Sequence, residues 1–255
     1  MKSQKLIWQS TLKIIVLGLF VSTFTGVVGP VIPQAKATSS GSIYFNQASI
    51  KHAYDSILDV GAVVGGKTES FTVEMWIKPT YSGSCYIGFA NPTSGLCAEG
   101  LWASGSGVND DFNIGSDTAP HGGGCTDPTQ IILIRYNTTC AETSGENSFP
   151  TINVWSHVAW SVDAAGFFSL YINGVRKIYA KKDWDMSLRR TNADGSPSNL
   201  LIGRSDRAKF TGYMSNVRLV KGAAIYTGAN ITVPSVELST SVPSGTTQFL
   251  LQARD

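Results

Sequence analysis

Phe71-Thr72-Val73-Glu74-Met75-Trp76-Ile77-Lys78-Pro79 carries a strand pattern. Successive side chains of a β-strand point to opposite faces. Phe71, Val73, Met75 and Ile77 therefore form one apolar face, and Thr72, Glu74, Trp76 and Lys78 the other. The same alternation returns in His157–Val162, where Val158, Trp160 and Val162 share a side. Working outward, Phe168–Ile172 leads into Asn173-Gly174, and Val175–Tyr179 follows. Asn-Gly between two strand-like runs predicts a hairpin with a type I′ turn, because that turn needs positive φ at both central residues. Ser42–Asn46, Ile131–Tyr136, Leu200–Gly203, Tyr213–Val220 and Gln248–Leu251 complete the strand set. Residues 38–255 hold no sustained 3.6-residue period. Strands without crossover helices predict an all-β fold: two antiparallel sheets packed as a sandwich or jelly roll.

The chain of 255 residues is 42% hydrophobic and 15% charged, enough apolar material for a core and unlike a disordered chain. No heptads and no long charge runs occur, which excludes a coiled coil. The 20 basic and 18 acidic residues leave too small an excess for a protein that coats nucleic acid.

Residues 1–37 are read as a targeting segment. Lys2, Lys5 and Lys13 are followed by the apolar run Ile14–Val21 and then by Ala35-Lys36-Ala37, a small-x-small cleavage pattern. The uncharged stretch Ile14–Pro33 is also about the ~20 residues of a membrane span, so a retained anchor is the alternative. Either reading exports residues 38–255, to the outside or the cell surface. The four lysines of residues 1–37 account for the basicity. Without them 16 basic residues face 18 acidic ones, a net charge of −2.

Cys85, Cys97, Cys125 and Cys140 lie in residues 81–150, a Gly/Ser-rich region expected to be elaborated loops around a few strands. Four cysteines in an exported chain point to two disulfides. Nearest-neighbour pairing, Cys85–Cys97 and Cys125–Cys140, would close loops of about 15 residues, each worth ~3 kcal/mol in the chain-entropy model. Zinc is the alternative, but no C-x-x-C spacing occurs and His121 is the only histidine nearby.

Three segments then resemble the concanavalin A-like, laminin G-like jelly-roll domains of bacterial and phage surface proteins. The first is Phe71–Pro79. The second is Val154-Trp-Ser-His-Val-Ala159 with Leu170-Tyr-Ile-Asn-Gly-Val175. The third is Gly212-Tyr-Met-Ser-Asn-Val-Arg-Leu-Val-Lys-Gly222 with Ala224-Ile-Tyr226. The resemblance runs from about Ser42 to Leu251 and makes residues 38–255 one such domain. It implies a mostly non-catalytic family that binds sugars, polymers or protein partners, sometimes with calcium. Asn216 stands where that family often has Asp, which leaves its structural calcium site in doubt.

Within the motifs, Trp76, Trp155 and Trp160 are expected to fill the sandwich core. His157 is expected to be a hydrogen-bonded structural residue, and Arg218 to pair with a carboxylate or pack its stem. No Glu-x-Asp-x-x-Glu string of sandwich glucanases is present. His121-Gly-Gly-Gly124 resembles a lipase oxyanion loop but has no Gly-x-Ser-x-Gly elbow to serve. There is no P-loop, Rossmann fingerprint or His-Glu-x-x-His either. The chain therefore reads as a non-enzyme.

One polar loop is a candidate binding site. Asn109, Asp110, Asp111, Asn113 and Asp117 follow Trp102, so oxygens that could hold calcium lie near a ring that could stack on a sugar. It is no EF-hand, since the twelfth position from Asp111 is Gly122, and a hydrated loop suits the same residues. Asn137-Thr-Thr139 and Asn230-Ile-Thr232 match the glycosylation pattern, which matters only in a glycosylating host. The expected function is an exported binding module that recognises glycan. The alternative is a structural subunit of a surface layer or extracellular filament.

Overall fold

The computed structural model describes residues 41–46, 48–53, 55–80, 99–105, 112–116, 132–135, 139–143, 150–181, 199–203 and 210–252. For residues 99–143 and Asn199 it describes the backbone alone. The described residues form fifteen strands: β1 (Ile43–Asn46), β2 (Ile50–His52), β3 (Val63–Val64), β4 (Lys67–Thr68), β5 (Phe71–Pro79), β6 (Glu99–Gly105), β7 (Phe112–Ser116), β8 (Ile132–Arg135), β9 (Thr139–Thr143), β10 (Ser156–Val162), β11 (Phe167–Ile172), β12 (Val175–Lys181), β13 (Asn199–Ile202), β14 (Thr211–Lys221) and β15 (Thr246–Leu251). All belong to one compact unit, Ala35–Asp255.

Two antiparallel sheets make the sandwich. The first runs β1-β14-β5-β10-β11-β12, with β15 also on β14; the second runs β2-β13-β6-β7-β8-β9. The eleven-residue β14 is long enough to serve two partners along one edge. Thr211–Met214 pair with β1, and Val217–Lys221 pair with β15. Between these halves the register against β5 shifts after Ser215, and Asn216 takes φ 51°. The short amide side chain of Asn tolerates this left-handed conformation better than most residues.

The apolar faces read from alternation meet between the sheets. Phe71, Val73, Met75 and Ile77 of β5 and Val158, Trp160 and Val162 of β10 pack with Leu200 and Ile202 of β13 in the opposing sheet. Burial of such faces is the main force holding a sandwich together. The expected hairpin is present: Asn173 and Gly174 have φ 48° and 82°. A Cβ on Gly174 would also lie 2.7 Å from the Ile231 carbonyl oxygen, so the position excludes larger residues on two grounds.

The Tyr81–Pro150 region, expected as loops around a few strands, supplies four, β6 to β9, most of the second sheet; Gly and Ser within Glu99–Gly105 hide the alternation that marks a strand. Two expectations need correction. Cys140 lies in β9 opposite Ile134, in a strand and not a loop, while Cys85, Cys97 and Cys125 and their pairing lie outside the described residues. Trp76 is 1% exposed but outside the inter-sheet core, because it alternates with the core residues of β5 and buries on the outer face. Trp160 is in the core as expected, and Trp155 is half-buried.

Candidate functional site: the outer face of the first sheet

The outer face of β5 is as buried as its inner face, because the segment between β14 and β15, residues 222–245, folds back across it. Thr72 Oγ1 bonds the Ala223 carbonyl and accepts the Ile225 N–H, both at 3.0 Å. The Tyr171 hydroxyl donates to the Gly228 carbonyl at 2.9 Å, and the Arg176 N–H donates to Ala229 at 3.0 Å. Leu238 is anchored by its N–H to Asn216 Oδ1.

Under this strap lies a polar cluster centred on Glu74, which is fully buried. Arg218 donates to Oε1 through Nε at 2.8 Å and also through Nη2. His157 Nε2 meets Oε2 at 3.0 Å, and the Tyr226 hydroxyl donates to the same oxygen at 2.8 Å. Strand register explains the meeting: Glu74 stands opposite Arg218 on one side, and His157 lies two residues from Ala159, its partner on the other. Trp76 packs on the His157 ring at 5.4 Å between centroids, and His157 Nδ1 makes no hydrogen bond among the described residues. Arg218 Nη1 reaches past the cluster to the Ser239 carbonyl of the strap at 2.8 Å.

Burial alone would raise the Glu74 pKa. The His157 hydrogen bond and charge, with the Arg218 guanidinium, outweigh it and hold the carboxyl below its ordinary value. Burial, with the Glu74 charge beside it, pushes the Tyr226 hydroxyl well above the ordinary tyrosine value. Glu74 thus has both carboxyl oxygens engaged, Oε1 by Arg218 and Oε2 by His157 and Tyr226. Sequence reasoning expected a hydrogen-bonded His157 and a carboxylate for Arg218. It missed that one residue, Glu74, serves both, since these side chains are 83 and 144 positions apart.

Beyond the strap the outer face carries exposed rings. Tyr44, Tyr213 and Lys78 stand in register across β1, β14 and β5. The two rings lie 4.9 Å apart, and the Lys78 ammonium is 5.8 Å from the Tyr213 centroid. Tyr44 is 51% exposed. At the far end of the sheet Tyr179 is 54% exposed, stacked on Phe167 at 5.0 Å, with the Arg176 guanidinium 4.0 Å from its centroid.

The residues proposed from sequence fall elsewhere. Trp102 and Asn113 sit not in a loop but in the paired strands β6 and β7, Trp102 opposite Ile114 and Asn113 opposite Ala103. Asn109, Asp110, Asp111 and Asp117 lie outside the described residues, as does the segment 1–37. Asn216 is engaged: its Oδ1 also accepts from Gln252 at 3.1 Å, and its Nδ2 donates to Ser215. Among the described residues no group of three or more His, Cys, Asp or Glu side chains is placed to hold a metal.

The model of the concanavalin A-like lectin/glucanases superfamily in its laminin G form matches residues 53–224, which include β5, the β10–β12 hairpins and β14. The chain belongs to this superfamily. Its description covers lectins and glucanases alike, so membership fixes the sandwich and not the activity. No curated protein sequence matches the chain. Among solved structures, a candidate carbohydrate binding protein of Bacteroides ovatus is similar over 83% of this chain and 50% of its own, at 18% identity and TM-score 0.46. The chain thus spans half the length of that solved protein. Domain 4 of an extracellular arabinanase from Geobacillus stearothermophilus, solved with arabinotriose, is similar over 69% of this chain and 83% of its own, at 16% identity and TM-score 0.40. An alginate lyase from Corynebacterium is similar over 61% and 60%, at 9% identity and TM-score 0.34.

Proposed function

We propose that the chain is an exported, non-catalytic binding module that recognises glycan at the cell surface or outside the cell. The observation that carries this reading is the exposed ring of Tyr44, braced by Tyr213, on the outer sheet face. Flat rings held by a neighbour lose little freedom when they cover the apolar face of a sugar. The sealed state of Glu74 supports the non-catalytic part. Glycoside hydrolysis needs two carboxyl groups flanking an accessible bond, whereas Glu74 is tied to Arg218, His157 and Tyr226 beneath the strap.

The test is retention of the purified chain on a panel of immobilised polysaccharides, with assay of reducing ends released. Retention without release is expected. Release that disappears on replacing a single carboxylate would make the chain a hydrolase, and retention on none of the polysaccharides would remove glycan as its ligand.

A further inference from the structure

Resting on the glycan reading, we propose that the outer face of the first sheet is selective for acidic polysaccharide, bearing carboxylate or sulfate groups. The strands of this sheet carry Lys78, Arg176, Lys177, Lys181, Arg218 and Lys221 against a single carboxylate, Glu74. Two of these cations lie against carboxylates. Arg218 neutralises Glu74, and the Lys221 ammonium lies among the Ser56 and Asp59 carbonyls and Glu69. Lys78, Arg176, Lys177 and Lys181 have no carboxylate partner among the described residues. Asp163, in the turn before β11, directs Oδ1 to the N–H groups of Ala165 and Phe167. Positive charge thus concentrates on one sheet of a chain whose residues 38–255 are net −2.

The cations sit beside the rings. Lys78 completes the Tyr44–Tyr213 row, which crosses two strand spacings, about 10 Å. Lys177, Tyr179 and Lys181 are exposed in alternation along β12, about 6.7 Å apart. Arg176 is fixed over Tyr179 and by its bond to the Thr227 carbonyl at 3.2 Å. Edge strands do use lysine to deter pairing with other strands. That role explains Lys177 and Lys181 but not Lys78, which lies on the central strand β5. A neutral sugar polymer could take hydrogen bonds from these groups but would leave their charge uncompensated. An acidic one can lay ring faces on Tyr44 while its anionic groups meet Lys78 at one end and the β12 row at the other.

The full chain is tested by calorimetry and affinity electrophoresis against dextran, carboxymethyl dextran and dextran sulfate, which share one backbone and separate charge from sugar. Duplex DNA and anionic phospholipid vesicles serve as controls. The expected result is binding to one or both charged dextrans, weakened by salt, with dextran itself bound at least tenfold more weakly. Tyr44→Ala and Lys78→Gln should each weaken binding about two- to tenfold, with unchanged thermal melting. Lys177→Gln/Lys181→Gln should weaken it further. Binding to dextran as tight as to its charged forms overturns the acidic selectivity and leaves the glycan reading standing. Loss of binding to all glycans in the wider panel removes both. Binding of charged dextrans that is unaffected by all three variants, or is matched by DNA or vesicles, overturns the site.

Discussion

Arg218 and Glu74 form a buried ion pair, with the Arg218 Nε 2.8 Å from Glu74 Oε1 across adjacent strands of the first sheet. The pair is a structural hub, because Arg218 also holds Ser239 of the strap while Glu74 receives Tyr226 from its other arm. Sheet and strap are thereby coupled through one carboxylate.

Removing one member of this pair leaves an uncompensated buried charge. Arg218→Met should destabilise the domain by about 3–5 kcal/mol. Residues in one network are not additive, so Glu74→Gln/Arg218→Met should cost clearly less than the sum of the single changes. Urea denaturation of the four proteins measures the coupling, and additive costs would mean that the two groups do not stabilise each other.

The lowered Glu74 pKa has a defined consequence for acid stability. A carboxyl whose folded pKa is depressed contributes stability above its unfolded value. It loses that contribution as pH falls through the folded value. The stability gap between wild type and Glu74→Gln should therefore be constant above the ordinary value of 4.5 and narrow progressively below it. Denaturation midpoints recorded from pH 7 to pH 3 decide the matter, and a gap independent of pH would contradict the assignment.

Tyr226 has the opposite sign. Its folded pKa is raised, so its contribution is complete below the ordinary value of 10.0 and is lost as pH rises above it. Tyr226→Phe should cost about 1–2 kcal/mol at neutral pH. It should also flatten the decline in stability expected of wild type above pH 10. A variant with an unaltered alkaline limb would show that another group governs that limb.

Gly174→Ala places a side chain at φ 82° and against the Ile231 carbonyl of the strap. A cost of about 1–3 kcal/mol is expected. Amide exchange should quicken at Ile231, whose N–H bonds the Gly174 carbonyl at 2.8 Å, before it does in β10. Uniform acceleration across the sheet would mean that the hairpin and strap do not open locally.

Lys221 Nζ holds the loop before β3 through the Asp59 carbonyl at 2.6 Å and the Ser56 carbonyl at 3.1 Å. Lys221→Met removes both bonds and should cost about 1–3 kcal/mol. Proteolytic nicking should rise within residues 55–62. Nicking at wild-type rates would assign the order of that loop to its apolar contacts alone.

The β-rich core was legible from residue order because burial of one face leaves a period-two record. Phe71–Pro79 is predicted to the residue, and Asn173-Gly174 announces its own turn through the backbone angles it tolerates. Where strands mix Gly, Ser, Thr and Ala with few large apolar residues, as in β6 and β9, the alternation is weak, and pairing with neighbouring strands makes them strands. The candidate site was less legible. Trp102 and Asn113 were chosen for their chemistry as single residues, and the structure places them in paired strands.

The sequence by itself determined which residues face the inter-sheet core, because hydrophobic alternation is a local property repeated along each strand. What covers the opposite face was decided by tertiary structure alone. Glu74, His157 and Arg218 look like ordinary solvent-side residues of three separate strands. They become one enclosed cluster only when strand order places β5 between β10 and β14 and residues 222–245 close over them. The same placement leaves Tyr44 and Tyr179 uncovered at the two ends of the sheet. Charge pairing and exposure depend on distances across the sheet, and a linear order of residues carries no measure of those distances.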